Sequence, residues 1–452
     1  MPDITKEFIR NIPLEKYLKN AENRKIVVWG NGKIGEKVLD VLQEKGYSVS
    51  YVVDKKQDIS YTKQSISGTE LKHPDCLRSE TAKVYCIVAI RQYHPEIEEY
   101  LNEIGYEEIS DYLFLFHKPT IVEYEQPYMD LYNNIIVGKV GTVVSITAYN
   151  SKLELYANVN SDFGIYVCDS DFGIGEDVVF DCSYKEGTDR SIYCYKNSKI
   201  QLGKNVCIPY TFWVECCNNS SIYIDKEVIL KDKCTMLCFE KSDIQLGAGG
   251  HYGVGFSMSC RNNSQICVGK YLNWTMGGGI YCLNNSRIVI GDKFYVGKDS
   301  IITCRRQSSL IIGDDCSVQW FFICASEYEG TVVIKDRFMA SYNVSIFNND
   351  THPIFDVEKA KQINRDRKII ISEHVWAGIK STILSGAEIG QSCIIGANSV
   401  ITKKFPNNCT LGGIPARILN KNMTWDVREE DISNVDQKYN CLTEEEEESV
   451  NV

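Results

Sequence analysis

Two stretches of this sequence carry side chains whose types and spacing suit chemistry. The first is "IVVWGNGKIGEKVLDVLQEKGYSVSYVVD", residues 26–54. Gly30, Gly32 and Gly35 make G-x-G-x-x-G, and Asp54 follows Gly35 by 19 residues. Such glycines allow a tight turn, close approach of backbone to a phosphate, and close helix–strand packing; the acidic residue suits a ribose hydroxyl. Nucleotide binding is one reading and a plain strand-to-helix turn is the other. The second stretch is "FNNDTHPIF", residues 347–355. A neutral imidazole takes up a proton near neutral pH, so His352 is the candidate general base. Asp350 could orient the ring, as could a backbone carbonyl, and Asn349 is a candidate substrate contact. His374, beside Glu373, is the rival, although both fall where exposed polar residues are expected. His73, His94, His117 and His251 have no supporting pattern.

The elements that must position these residues differ in kind. Residues 25–118 alternate strand and helix: "KIVVWG", an amphipathic "KIGEKVLDVLQEKG", "YSVSYVVD", "AKVYCIVAI", and a helix opened by Pro95. A βαβ series predicts a small doubly wound parallel sheet, with a helix N-terminus behind Gly32 that favours phosphate. Some 95 residues make half of a dinucleotide domain, which suits a mononucleotide or nucleotide-sugar better than NAD.

The rest of the chain repeats. "SKIQLG", "SSIYID", "SDIQLG", "SQICVG", "SRIVIG" and "SSLIIG" begin at Ser198, Ser220, Ser242, Ser264, Ser286 and Ser308, every step 22 residues, and a worn copy begins at Gly330. Cys194, Cys216, Cys238, Cys260, Cys282 and Cys304 form a second column. Strict repetition of short apolar segments predicts stacked coils, one column repeating every ~4.8 Å along the axis. The cysteine column reads as small buried side chains rather than a metal or redox site. The "NNS" sequons at Asn218, Asn262 and Asn284 are corner residues, where left-handed backbone comes easily to Asn. Fainter strands place the first coil near residue 120.

From Ile371 the apolar positions Ala377, Ile383, Ile389, Ile395 and Ile401 fall six apart. Three hexads make an 18-residue triangular coil, and a 22-residue coil is then the same coil with four residues added at one corner. A 22-residue repeat alone also suits a right-handed β-helix; the hexads decide for the left-handed form. Between Val332 and Ile369 the step stretches to 37 residues, and the loop so formed holds His352.

Composition limits the alternatives. The 452 residues are 44% hydrophobic and 24% charged, with net charge −11 and no basic stripe, which argues against a nucleic-acid partner. The start lacks an apolar signal region, and runs such as "WFFICA" are too short to span a bilayer. Nineteen cysteines without a signal read as reduced thiols in the cytoplasm. The tail from Lys421 is polar and ends in five consecutive glutamates, read as disordered, after a segment (425–439) that could form one helix.

With "NNDTHPIF", "HVWAGIKSTILSGAEIGQSCIIGANSVITKKFP" and "LGGIPARIL" in place, residues 330–420 resemble the bacterial hexapeptide-repeat acyltransferases, the sugar O- and N-acetyltransferases in particular. The last element resembles the family's closing G-N-P-A-[KR], with Ile414 where Asn is usual. The resemblance implies acetyl-CoA as co-substrate, no metal, and a sugar or nucleotide-sugar acceptor, in surface-polysaccharide biosynthesis. It implies a homotrimer with clefts between neighbouring solenoids, His352 as base, and Gly378 near the thioester. Ala397, Thr402 and Lys403 would then border the pantetheine and phosphates, and Arg417 would meet a phosphate. Lys403, Lys404 and Arg417 read equally well as solvated surface charges, and Ala397 as coil packing. Some members carry a Rossmann-like domain that holds the nucleotide of an amino sugar, the role this gives Gly30, Gly32, Gly35 and Asp54; their turn usually contains a histidine, and here it is Gly30-Asn31-Gly32-Lys33.

The expected architecture is an α/β Rossmann-like domain (1–118), a long single-stranded left-handed parallel β-helix (119–420) and an acidic tail (421–452). Within the helix, 22-residue coils run over 198–335 and hexapeptide coils over 371–406. Two other readings compete: an exported right-handed β-helix lyase or hydrolase, for which neither export signal nor acidic groove cluster is visible, and a non-catalytic solenoid scaffold or carbohydrate-binding protein.

Overall fold

The structure is a computed structural model. It describes the chain except residues 1–3, 56–62, 65–67, 91–93, 124, 145, 160–162, 181–189, 195, 210–212, 351, 365–367, 428–435, 437–438 and 440–452. The glutamate run and most of the segment 425–439 therefore lie outside the described residues. The chain divides into two compact units, 1–173 with 191–198 and 174–190 with 199–452, so the first unit extends well past residue 118.

In the first unit, strand Ile26–Trp29 sits at the centre of a mainly parallel sheet, between Val49–Val53 and Tyr85–Val88. Tyr112–Phe114 extends the sheet on one side and Glu70–Lys72 on the other. Helices Lys33–Glu44 and Pro95–Glu103 accompany it. The centre is wholly apolar because all four residues of Ile26–Trp29 are buried, as in any parallel strand covered on both faces. Val27, Trp29, Val53, Cys86, Val88, Ile97 and Leu101 form one cluster. The same unit holds the first coil strands, with Ile135–Gly138 parallel to Lys152–Leu155 and Ile146–Tyr149 parallel to Phe163–Cys168. They close onto the sheet through Tyr149, whose hydroxyl donates to Phe114 O and Leu115 O, and through His117 stacked on Tyr132 at 3.5 Å.

The second unit is a parallel β-solenoid with three faces. On the first face Ile200, Ile222, Ile244, Ile266, Ile288, Leu310, Val332 and Ile369 pair in one continuous register, and all are fully buried. The serine column stitches the corner before this face. Ser242 N–H donates to Ser220 Oγ, Ser264 N–H to Ser242 Oγ and Ser286 N–H to Ser264 Oγ, at 3.1–3.2 Å. The cysteines beside them are free thiols, not disulfides. Cys238, Cys260 and Cys304 donate to Ser242 O, Ser264 O and Ser308 O at 2.9–3.0 Å. Burial pushes the thiols of Cys238 and Cys304 up, and the hydrogen bond with Cys260 together with burial pushes that of Cys282 up, so they stay protonated. Left-handed backbone recurs at this corner at Asn219, Asn263 and Asn285. The side chain of Cys194 is outside the described residues.

The registers explain the two periods. Ile312 pairs with Ile334 and Cys324 with Ile346, 22 residues on, whereas Ile371 pairs with Ile389 and Ile383 with Ile401, 18 on. From Ile312 to Val318 to Cys324 the chain advances by hexads; the extra four residues lie between the third face and the next first-face strand. That corner is also where Ile334 to Ile371 takes 37 residues. The loop of His352 is therefore an enlarged version of the extension that each preceding coil carries.

Candidate functional site

The loop opens after strand Ser345–Phe347 and contains a short hairpin, Phe355–Asp356 against Lys361–Gln362. Asn348, fully buried, roots it. Its side-chain amide donates to Ser326 Oγ at 3.1 Å and accepts from Glu327 N–H at 2.9 Å. Positions 326 and 348 continue the cysteine column beyond Cys304 in steps of 22, so the column itself marks Asn348. Asn349 donates to Glu327 Oε2 at 3.2 Å. His352 is exposed. Asp350 meets it through the backbone, where His352 N–H donates to Asp350 O at 2.7 Å. The Asp350 carboxylate, expected to orient the ring, accepts from Asn364 Nδ2 at 2.9 Å. The same Asn364 amide donates to His352 O at 2.9 Å, and its Oδ1 accepts from Ile354 N–H. Asn364 thus ties the hairpin to the histidine segment, a role that no sequence spacing signals. Among the described residues no side chain hydrogen-bonds the His352 ring.

The candidate cofactor-side residues fall into two groups. A cleft of ≈ 940 Å³ is lined by Thr402, Lys403, Phe405, Pro406, Asn407 and, on strand Ala416–Lys421, Arg417. Lys404 is paired with Glu388 at 2.9 Å. Lys403 and Arg417 are exposed, and among the described residues neither is in an ion pair. Gly378 and Ala397 lie elsewhere, at the opposite end of third-face strand Thr382–Leu384. Gly378 N–H donates to Ile395 O at 2.8 Å, and a Cβ there would stand 2.6 Å from that oxygen and 2.9 Å from Ala397 N. Coil stacking alone requires this glycine, and its N–H is already used.

The loop and the cleft share a corner. Phe347 pairs with Leu384, and Ile383 with Ile401, so the root of the loop and Thr402 occupy one column two coils apart, ~10 Å by strand spacing.

His374 is a correction to the sequence reading. Expected to be exposed, it is 1% exposed, because residues beyond Lys421 cover it. Its ring stacks on Trp425 at 4.3 Å, lies 4.2 Å from that of Tyr439, and is 3.3 Å from Ser392 Oγ. Burial lowers its pKa to about 4. The ring is thus enclosed by these side chains instead of facing solvent. Sequence reasoning assigned Trp425 and Tyr439 no role beyond a segment that could form one helix.

In the first unit Gly30 adopts φ +126° and a Cβ there would stand 2.9 Å from Ala89 O, while one on Gly35 would stand 1.9 Å from Gly30 O. Both glycines are needed by the turn. Gly32, at the helix N-cap, has nothing within 4 Å of a Cβ. Asp54 Oδ2 accepts from Asn31 N–H at 2.9 Å, so this carboxylate braces the glycine turn. Among the described residues no group of three His, Cys, Asp or Glu is placed to hold a metal, and no helix is long and apolar enough to cross a membrane.

Known proteins match both ends of the chain. Residues 22–110 match the family model "C2185-like, N-terminal" and residues 368–403 match "Bacterial transferase hexapeptide (six repeats)". Residues 368–403 of the solenoid are a bacterial transferase hexapeptide repeat, and the solenoid fits the left-handed β-helix of such repeats. It is 34% identical to the polysialic acid O-acetyltransferase of Escherichia coli O1:K1 over 94 residues, 21% of this chain and 31% of that protein. It is 31% identical to the galactoside O-acetyltransferase of Lactococcus lactis over 90 residues, 20% of this chain and 43% of that protein. The matches thus span less than half the length of these relatives. Among solved structures, the polySia-specific acetyltransferase NeuO is 25% identical with TM-score 0.36, covering 48% of this chain and 88% of that one. The perosamine N-acetyltransferase from Caulobacter crescentus is 11% identical with TM-score 0.16, covering 88% and 97%.

Proposed function

We propose that this protein transfers an acetyl group from acetyl-CoA to a hydroxyl or amine of a sugar or nucleotide-sugar, in the cytoplasm, for surface-polysaccharide biosynthesis. The observation that carries this reading is the shared corner. A loop bearing an exposed histidine and a cleft bearing two unpaired cations open off the same edge of hexapeptide coils. Lys403 and Arg417 suit the phosphates of CoA, Arg417 as a two-pronged donor. His352 takes the proton from the acceptor as its oxygen or nitrogen bonds to the thioester carbonyl carbon. The carbon–sulfur bond then breaks, and the imidazolium returns the proton to the leaving thiolate. The Rossmann-like reading of the first unit gives its glycine turn, braced by Asp54, the nucleotide end of the acceptor. The relatives named O-acetyltransferases favour oxygen as the acceptor atom. A homotrimer would cover the long solenoid faces, and light scattering reads that mass directly.

The His352 ring, hydrogen-bonded by no side chain among the described residues, supports a second reading, a carbohydrate-binding solenoid without turnover. Mass spectrometry of products from acetyl-CoA and a panel of sugars and nucleotide-sugars separates the two. An acetylated product supports the enzyme; CoA binding absent from a thermal-shift assay contradicts it.

A further inference from the structure

The segment that follows strand Ala416–Lys421 is fastened at two points, and both lie beside the cleft. The Trp425 indole N–H donates to His374 O at 2.8 Å while its ring stacks on the imidazole at an interplanar angle of 12°. Asn408, 5% exposed, is the second point. Its carbonyl accepts from Met423 N–H at 2.8 Å, and its side chain donates to Tyr439 O at 3.0 Å. Arg337 adds an ion pair with Asp426 at 3.6 Å and lies over the Tyr439 ring at 4.7 Å.

These contacts fall on neighbours in sequence of residues that line the cleft. Asn407, next in sequence to Asn408, lines it, and its Oδ1 accepts from Gln391 N–H at 2.7 Å. Arg417 stands on the strand that runs into Met423 and Trp425. An exposed strand ending in solvent would fray; this one is anchored four residues past its end.

We infer that Trp425 and Tyr439 are positioning residues: they strap the segment after Lys421 to His374 and Asn408 and so hold Arg417 and Asn407 at the spacing an anionic ligand needs. The inference rests on reading the cleft as the CoA site. A preformed site binds more tightly because the ordering cost is already met. Releasing the strap weakens CoA binding and leaves proton transfer at His352 alone.

The test uses the full chain with Trp425→Ala, Tyr439→Ala and the conservative Trp425→Phe, each checked for β-sheet content by circular dichroism. Calorimetry with CoA, limited proteolysis and steady-state kinetics are the readouts. In both alanine variants the expected results are new cleavage beyond Lys421, a CoA Kd raised about tenfold, a KM for acetyl-CoA raised in parallel, and kcat within about twofold of wild type. Trp425→Phe keeps the stacked ring and should retain most of the affinity. If the end is released and CoA binds as before, or if both alanine variants stay protected, the strap inference is wrong and the CoA reading stands. A wild type that binds no CoA overturns both.

Discussion

Asn348 reaches across one coil to Ser326, donating its side-chain amide to Ser326 Oγ at 3.1 Å with neither residue exposed. The contact ends the cysteine column and begins the loop that carries His352. Asn348→Leu leaves Ser326 Oγ and Glu327 N–H without that partner. A buried group left unsatisfied costs about 1–3 kcal/mol, so the denaturant midpoint should fall accordingly. An unchanged midpoint would mean the loop is rooted elsewhere.

Among the described residues Lys403 and Arg417 are in no ion pair, whereas Lys404 is paired with Glu388. Lys403→Ala and Arg417→Ala should each weaken CoA about tenfold, ~1.4 kcal/mol, and should lessen its dependence on salt. Lys404→Ala, which removes only the partner of Glu388, should change affinity little. Equal effects at all three positions would point to general surface charge instead of a phosphate site.

Burial holds His374 at a pKa of about 4 and His117 at about 3, both below the 6.5 of a free imidazole. The unfolded chain therefore binds more protons between those values. The stability from each neutral ring is fully present above pH 6.5 and is lost as pH falls towards the folded pKa, at up to about 1.4 kcal/mol per pH unit. His374→Phe should flatten this acid slope in urea titrations at pH 4–7; an unaltered slope would show that His374 titrates normally.

The glycine turn offers a clean separation of ligand from fold. A Cβ on Gly32 meets no atom within 4 Å, whereas one on Gly35 stands 1.9 Å from Gly30 O. Gly32→Val should fold with wild-type Tm, keep its CoA affinity and lose affinity for a nucleotide-sugar; Gly35→Val should lose stability. Nucleotide-sugar binding unchanged in Gly32→Val would make the turn structural only.

Much of this architecture is legible in the sequence because a solenoid repeats its packing. Each buried column of the first face, such as Ile200 to Ile369, recurs at the coil length, so spacing alone gives register. The 37-residue step marks the loop, and the cysteine column, continued through 326 to 348, marks its root. What spacing does not give is contact across irregular chain. Asn364 holds Asp350 and His352 from within the loop, where no period applies. His374 occupies a position that hexads leave exposed, and residues 51 and 65 positions later cover it. The first unit shows the same limit, because the closure of Tyr149 onto Phe114 and Leu115 joins two patterns that read as separate domains.

The central claim is that His352 moves the proton during acyl transfer. The direct measurement is kcat for acetyl-CoA and the identified acceptor in His352→Ala, with the exposed His251→Ala as control. A positioned base contributes about 10²–10⁴-fold, so His352→Ala should lower kcat by that factor with KM for acetyl-CoA little changed, while His251→Ala matches wild type. Turnover by His352→Ala within a few-fold of wild type would contradict the account.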